Sequence, residues 1–171
     1  MIKIQRVTPA QAPKLLDFSK KTFHHFFGPV NNPDSIEAYS AKAFTLQKIQ
    51  AELANPNSEF HFAMYDDNIA GYIKLNFGNA QTEPLGNDAA EIERIYVAEE
   101  YHGKHIGRQL LDFAIDIAKE KQLVYIWLGV WEHNNKAIGF YRHHGFNIFS
   151  SHGFLLGDEL QTDLLMKKQL R

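Results

Sequence analysis

The sequence predicts a mixed α/β fold: a mostly antiparallel sheet with one splayed parallel strand pair at its centre and helices on its faces. Three observations carry this. A strand, loop and helix run from Glu91 to Lys119 is followed by a near-continuous apolar stretch, Leu123 to Val130, typical of a strand covered on both faces. Such a strand, helix, strand succession makes a right-handed parallel crossover. Two further strand patterns, Phe60 to Tyr65 and Ile69 to Phe77, are separated by Asp66, Asp67 and Asn68, which is hairpin chemistry. The final pattern, Thr162 to Lys167, reads as the closing arm of another hairpin. At 171 residues and 44% hydrophobic content the chain suits a single domain spanning residues 1–171.

Taken in order, Ile2 to Val7 alternates as a strand. Thr8, Pro9 and Gln11 then supply an N-cap, a first-turn proline and a capping box for a helix running to about Phe23. Phe23, Phe26 and Phe27 lead into a loop of Gly28, Pro29, Asn31, Asn32 and Pro33, with Asn32 capping a second helix. Asp34 to Asn55 reads as one or two helices. Adjacent His24 and His25 point in different directions on a helix, and nothing nearby completes a metal site. Gly78 to Ala90 is a long loop into the central strand, of the length that is often functional. After the parallel crossover, Asn134 caps a helix that ends near Gly145. Phe146 to Phe149 is a strand, Gly153 to Gly157 a loop, and Asp158 and Glu159 the turn before the last strand.

The central run has chemical content of its own. Ile92 is apolar on one strand parity, Ile95 and Val97 on the other, so an extra residue near Glu93 and Arg94 predicts a β-bulge. A bulge splays the strand and frees main-chain groups for an extended amide-containing ligand. Next, His102, Gly103, Lys104, His105, Ile106, Gly107 and Arg108 bring backbone amides to a helix start, where phosphate is favoured. The spacing fits neither GxxxxGK[ST] nor GxGxxG, and a plain basic turn would look the same. Ile106, Leu110, Phe113 or Ala114, and Ile117 recur at helical spacing and mark the buried face.

Composition narrows the function classes. A formal net charge of −2 and pI near 6.5 give no general reason to expect nucleic acid or an anionic membrane surface. The absence of cysteine excludes thiol nucleophiles, disulfides and thiolate metal sites, and is compatible with a reducing cytosol. No apolar signal core opens the chain and no segment nears about 18 apolar residues, so a cytoplasmic, non-membrane protein is expected.

The segments EIERIYV, HGKHIGRQLL and WLGVWEHNNKAIGFYRHHGF together resemble the Gcn5-related N-acetyltransferases, whose pattern is a bulged strand, a pyrophosphate loop, a parallel strand and an Asn-to-Tyr helix. Within that superfamily IAGYIKLN and LLGDELQTDLLMKK make the chain similar to the PaiA-type spermidine/spermine N-acetyltransferases over nearly its whole length. His102 and His105 depart from the usual loop, in which Gln or Arg and then Gly are common. The resemblance implies an acetyl-CoA-dependent transfer to an amine, without metal, by direct attack on the thioester. Glu93, a desolvated carboxylate with raised pKa, would assist deprotonation, with an ion pair to Arg94 as the alternative reading. A main-chain amide near Ile95 would serve the thioester oxygen, and Tyr141 would protonate the departing sulfur. Ile95, Tyr96, Val97, residues His102 to Arg108, Asn134 and Tyr141 would hold acetyl-CoA. Glu91, Glu93, Asp34, Glu37, Asp158 and Glu159 would hold a polyamine, with Phe26, Phe27 or Tyr39 covering its methylenes. A homodimer is also implied. A protein N-terminus, a lysine or an aminoglycoside is the alternative acceptor, and a non-catalytic acyl-CoA or polyamine sensor the alternative class.

Overall fold

The computed structural model describes residues 1–171. Its strands are β1 (Ile2–Arg6), β2 (Ser58–Tyr65), β3 (Asn68–Phe77), β4 (Ala89–Val97), β5 (Tyr125–Trp131), β6 (Asn147–Leu156) and β7 (Glu159–Gln169). The helices are α1 (Ala12–Phe27), α2 (Pro33–Ala43), α3 (Leu46–Ala54), α4 (Ile106–Glu120) and α5 (Asn135–His143). All seven strands join one sheet, ordered β1-β2-β3-β4-β5-β7-β6, and only the β4–β5 pair is parallel.

Local chemistry explains most of these elements. Asp66 and Asp67 both take positive φ, +46° and +68°, as a tight hairpin between right-twisted strands requires. Gln11 Oε1 accepts from the Thr8 amide at 2.9 Å, but the residues it closes form a 3-10 turn (Pro9–Gln11) before α1 proper. Asn32 accepts from the Asp34 amide at 2.8 Å and caps α2 as expected. Alternation assigns the two faces of the sheet. Ile73, Leu75 and Ile92 pack with Ile106, Leu110, Leu111 and Ala114 of α4 on one face. Phe60, Phe62 and Tyr72 pack with Leu15, Phe18 and Ile49 of α1 and α3 on the other.

Three boundaries differ from the expected ones. Helix α1 continues to Phe27, because Phe23 and Phe27 pack together with ring centroids 5.0 Å apart. The buried side of α4 includes Leu111 and Ile115, while Phe113 and Ile117 lie at its margin, since β3 and β4 cover a wider stripe than one i, i+4 row. Strand β6 is continuous through Gly153. As an edge strand it tolerates the exposed Ser150 and Ser151, and a register shift between Ile148 and Ser150 absorbs the phase break.

Candidate active site

Strands β4 and β5 pair only from Ala89 to Ile92 against Tyr125 to Leu128. Beyond that point the sheet forks. Strand β4 keeps β3 as its only neighbour, and β5 keeps β7 through Trp131. The bulge lies at the fork: Lys74 faces Arg94 and Leu75 faces Ile92, leaving Glu93 as the extra residue. Residues Glu93 to Val97 are half-buried where Ala89 to Ile92 are buried. Main-chain groups of this stretch that point toward β5 have no strand partner. They form an internal edge on which an amide-bearing arm can lie as a strand would, and Ile95, Tyr96 and Val97 lie along it.

At the far end of that edge the loop enters α4. Gly103 and His105 take φ of +82° and +60°, so His105 itself adopts the left-handed conformation at the N-cap. No side chain caps α4, whereas Asn32, Thr45 and Asn134 cap α2, α3 and α5. Its first amides are therefore free for an anion. A Cβ at Gly107 would meet only Val97 Cγ2, at 3.9 Å, so the approach to these amides is open. The basic side chains frame this opening without filling it. Lys104 lies over the Tyr65 ring at 5.0 Å, Arg108 pairs with Asp112 at 3.7 Å, and His102 Nε2 is 2.9 Å from the Val97 carbonyl. Free amides on β4 and an uncapped α4 fit the pantetheine and pyrophosphate of acetyl-CoA.

On α5, Asn134 Oδ1 accepts from the Ala137 amide at 3.2 Å, which leaves its Nδ2 to donate elsewhere. Tyr141 is 8% exposed, its ring edge-on to Phe146 at 5.8 Å. Burial alone pushes its hydroxyl well above the usual tyrosine range, and no charged neighbour contributes. Tyr141 also acts on the buried Tyr96 hydroxyl, which places it toward the open part of β4.

The opposite side of the fork corrects one expectation. Glu93 does not have a raised pKa: burial pushes it up, but Arg94 and Lys74 outweigh this and hold it below the usual carboxylate range. Lys74 is buried and ion-pairs with both Glu93 and, at 3.2 Å, Glu52. Arg94 pairs with Glu52 at 3.6 Å over the Phe44 ring. Glu93 is thus a fixed negative charge at the fork.

Glu91, expected to meet the amine, is 3% exposed. It accepts from Asn76 Nδ2 at 3.0 Å, the Thr82 amide at 2.8 Å and the Thr82 hydroxyl at 2.5 Å. Burial, opposed by these bonds, raises its pKa. The carboxylate ties the 78–88 loop to β4. Glu91→Ala would strand these donors and lower the unfolding free energy by about 1–3 kcal/mol. Glu91→Gln, which keeps an acceptor, would lose less. Thermal melts of the two variants, with amine KM measured beside them, separate this bracing role from amine contact: an Ala variant with a raised KM and unchanged melting would assign Glu91 to the substrate.

The other expected acidic residues gather elsewhere. Asp34 opens α2, and the turn of Gly157, Asp158 and Glu159 packs on Ser35 beside it, so these carboxylates share one exposed corner with Glu37 one turn further along α2. Phe27 lines the aromatic cluster of Phe23, Tyr39, Phe44 and Phe154 behind that corner. Nearer the fork stand Tyr39, an expected aromatic cover for the methylenes alongside Phe26 and Phe27, and Asp163, which the pattern of the sequence does not single out. Tyr39 has its hydroxyl pKa raised mainly by burial, and Arg94, Glu93 and Asp163 all act on it. Asp163 lies beside Gly129, the first residue of β5 past the fork. Asp163 is the one charged residue in LQTDLLM, placed directly before an apolar run, the one signal that could have found it. No group of histidine and carboxylate side chains is arranged to hold a metal ion, and no helix is long and apolar enough to cross a membrane.

Comparison with known proteins agrees with this geometry. The acetyltransferase (GNAT) family pattern matches residues 21–146. An uncharacterised N-acetyltransferase of Lactobacillus delbrueckii subsp. lactis is 39% identical over 99% of this chain and 98% of its own length. A spermidine N(1)-acetyltransferase of Thermoplasma acidophilum is 24% identical, covering 98% of this chain and 97% of its own. Among solved structures, the PaiA N-acetyltransferase of Thermoplasma acidophilum in complex with coenzyme A superposes with a TM-score of 0.81 at 23% identity, over 99% of both chains. With a forked parallel pair, an uncapped helix at its mouth and a family pattern spanning most of its length, this chain belongs to the GNAT family and is an acetyl-CoA-dependent N-acetyltransferase.

Proposed function

We propose that the acceptor is a polyamine such as spermidine or spermine, and that residues 1–171 act as one cytoplasmic catalytic domain in a homodimer. The observation that carries the acceptor is a pair of carboxylates on the amine side of the fork, of which Asp163 has no lysine or arginine partner. Glu93 is held ionised on β4, and Asp163 faces the same opening from β7. Tyr39 and Phe154, 5.4 Å apart, offer aromatic surface for methylenes between ammonium groups. The similarity to a spermidine N(1)-acetyltransferase supports the same class.

Acetyl-CoA supplies an activated acetyl thioester. The chain does the rest. Unpaired amides at the start of α4 bind the pyrophosphate, the internal edge of β4 with Asn134 orients the arm, and an amide near Ile95 meets the thioester oxygen. Glu93 draws the ammonium to the fork by charge, and Tyr141 gives its proton to the departing sulfur.

The exposed carboxylates Asp34, Glu37 and Asp158 add long-range attraction for a polycation, and attraction between exposed charges weakens as the Debye length falls from about 10 Å to about 3 Å between roughly 0.1 and 1 M salt. The KM for spermidine is therefore expected to rise over that range, and that for acetyl-CoA, held largely by backbone amides, to change less. A panel of amines assayed for acetyl-CoA-dependent CoA release tests the assignment. Efficient acetylation of a peptide N-terminus or an aminoglycoside, with spermidine and spermine inert, would overturn the polyamine and leave the acetyltransferase. Binding of acetyl-CoA and amine with no turnover of any of them would make the protein a sensor.

A further inference from the structure

Ion pairing with Lys74, and the charge of Arg94 beside it, keep Glu93 ionised and make it a weak proton acceptor. A second carboxylate faces the fork. A Cβ at Gly129 would stand 3.6 Å from Asp163 Oδ2, so this carboxylate hangs over the first residue of β5 released from β4. Asp163 is paired across the β6–β7 hairpin with His152. His152 Nε2 lies 3.4 Å from Asp163 Oδ2, and its Nδ1 lies 2.5 Å from Glu83 Oε1 in the 78–88 loop. Side-chain exposure increases outward along this row, from 20% at Asp163 to 28% at His152 and 30% at Glu83.

We infer that Asp163 receives the proton of the acceptor ammonium and that His152 and Glu83 pass it to solvent. The inference rests on the acetyltransferase reaction and not on which amine is used. The ammonium gives one proton to Asp163, directly or through one water, and becomes the neutral nucleophile. Neutral His152, carrying its proton on Nδ1, takes that proton at Nε2 while Nδ1–H passes its own to Glu83, which releases it, and exchange with solvent at the partly exposed ring restores the starting tautomer. The nitrogen–carbon bond then forms and the carbon–sulfur bond breaks. Tyr141 gives its proton to sulfur and regains one from the new amide nitrogen. One ammonium and one thioester thus yield one amide, one thiol and one proton in solution.

Burial supports this role, since it raises the Asp163 pKa against the opposing pull of His152 and so makes the carboxylate a better acceptor. The charged groups facing Asp163 are His152 from β6 and, through it, Glu83 from the loop. Glu93 on β4 and Tyr39 on α2 stand across the opening. Asp163 must be ionised to accept, so activity is lost as pH falls through its raised pKa.

The test is a pH profile of kcat and KM for Asp163→Asn, with spermidine, or with a glycine-led tripeptide if spermidine is inert. Inert spermidine bears on the proposed substrate alone. The expected result is an unchanged melting temperature and CoA affinity, with kcat lowered about 10- to 100-fold at neutral pH. The deficit should shrink as pH rises and the amine arrives already neutral. His152→Ala should show a smaller loss in kcat that added imidazole relieves, which a packing role would not allow. A kcat profile for Asp163→Asn parallel to the parent enzyme, or a loss confined to KM, overturns the inference. If Asp163→Asn melts early, His152→Gln is read by the same profile, and a parallel profile there overturns it equally.

Discussion

Tyr141→Phe is expected to lower kcat by about a hundredfold or more, the scale of general acid catalysis, and to leave the fold and CoA affinity intact. The ring sits between Phe140 and Phe146, with centroids at 5.4 and 5.8 Å, so phenylalanine fills the same space. No neighbouring charge or hydrogen bond acts on the hydroxyl, and its removal strands no partner. Because burial raises its pKa, the hydroxyl stays protonated through neutral pH, so its proton is in place when the thiolate departs. Steady-state turnover and calorimetric CoA binding on the same preparation decide the matter. Near-normal turnover would reduce Tyr141 to packing.

Gly107→Asp is expected to weaken CoA binding at least about tenfold while leaving the protein as stable as before, or slightly more so. Its Cβ has space, since Val97 Cγ2 at 3.9 Å is an ordinary contact. A carboxylate in the first turn also complements the helix dipole, which is worth about 0.3–1 kcal/mol. The same charge would stand where pyrophosphate must approach, so stability and affinity move in opposite directions. Gly103 is a poorer site for this test, because its φ of +82° strains any side chain. Calorimetry showing unchanged CoA affinity would refute the assignment of this loop.

The backbone of the site is legible in the sequence where one strand or one turn contains the whole signal. The parity change between Ile92 and Ile95 locates the bulge at Glu93, and Asn134 is a cap that can be read from its helix alone. The hairpin of Asp66 and Asp67 is equally local. What fails is electrostatic and long-range. Nothing in IAGYIKLN shows that Lys74 turns inward, because its burial depends on Glu52, delivered by α3 from another part of the chain. The raised pKa expected for Glu93 fails for that reason. The row of Glu83, His152 and Asp163 is hidden likewise. Glu83 lies in a loop without periodicity, and His152 adjoins a glycine that reads as a strand end until the edge position of β6 is known.

Four residue pairs, Ala89 to Ile92 against Tyr125 to Leu128, form the backbone seam between the β1–β4 half of the sheet and the half made by β5, β7 and β6. A ligand laid along the open part of β4 lengthens that seam in the manner of a missing strand. With acetyl-CoA in the proposed place, the protein would work as two blocks on a short zipper that its own cosubstrate closes. At roughly 100 times its dissociation constant such a ligand adds about 2.7 kcal/mol to the folded state. Amide hydrogens flanking the seam gain the protection. A cell whose CoA pool collapses would therefore lose more than the acetyl donor, because the same molecule guards this enzyme against local opening and proteolysis.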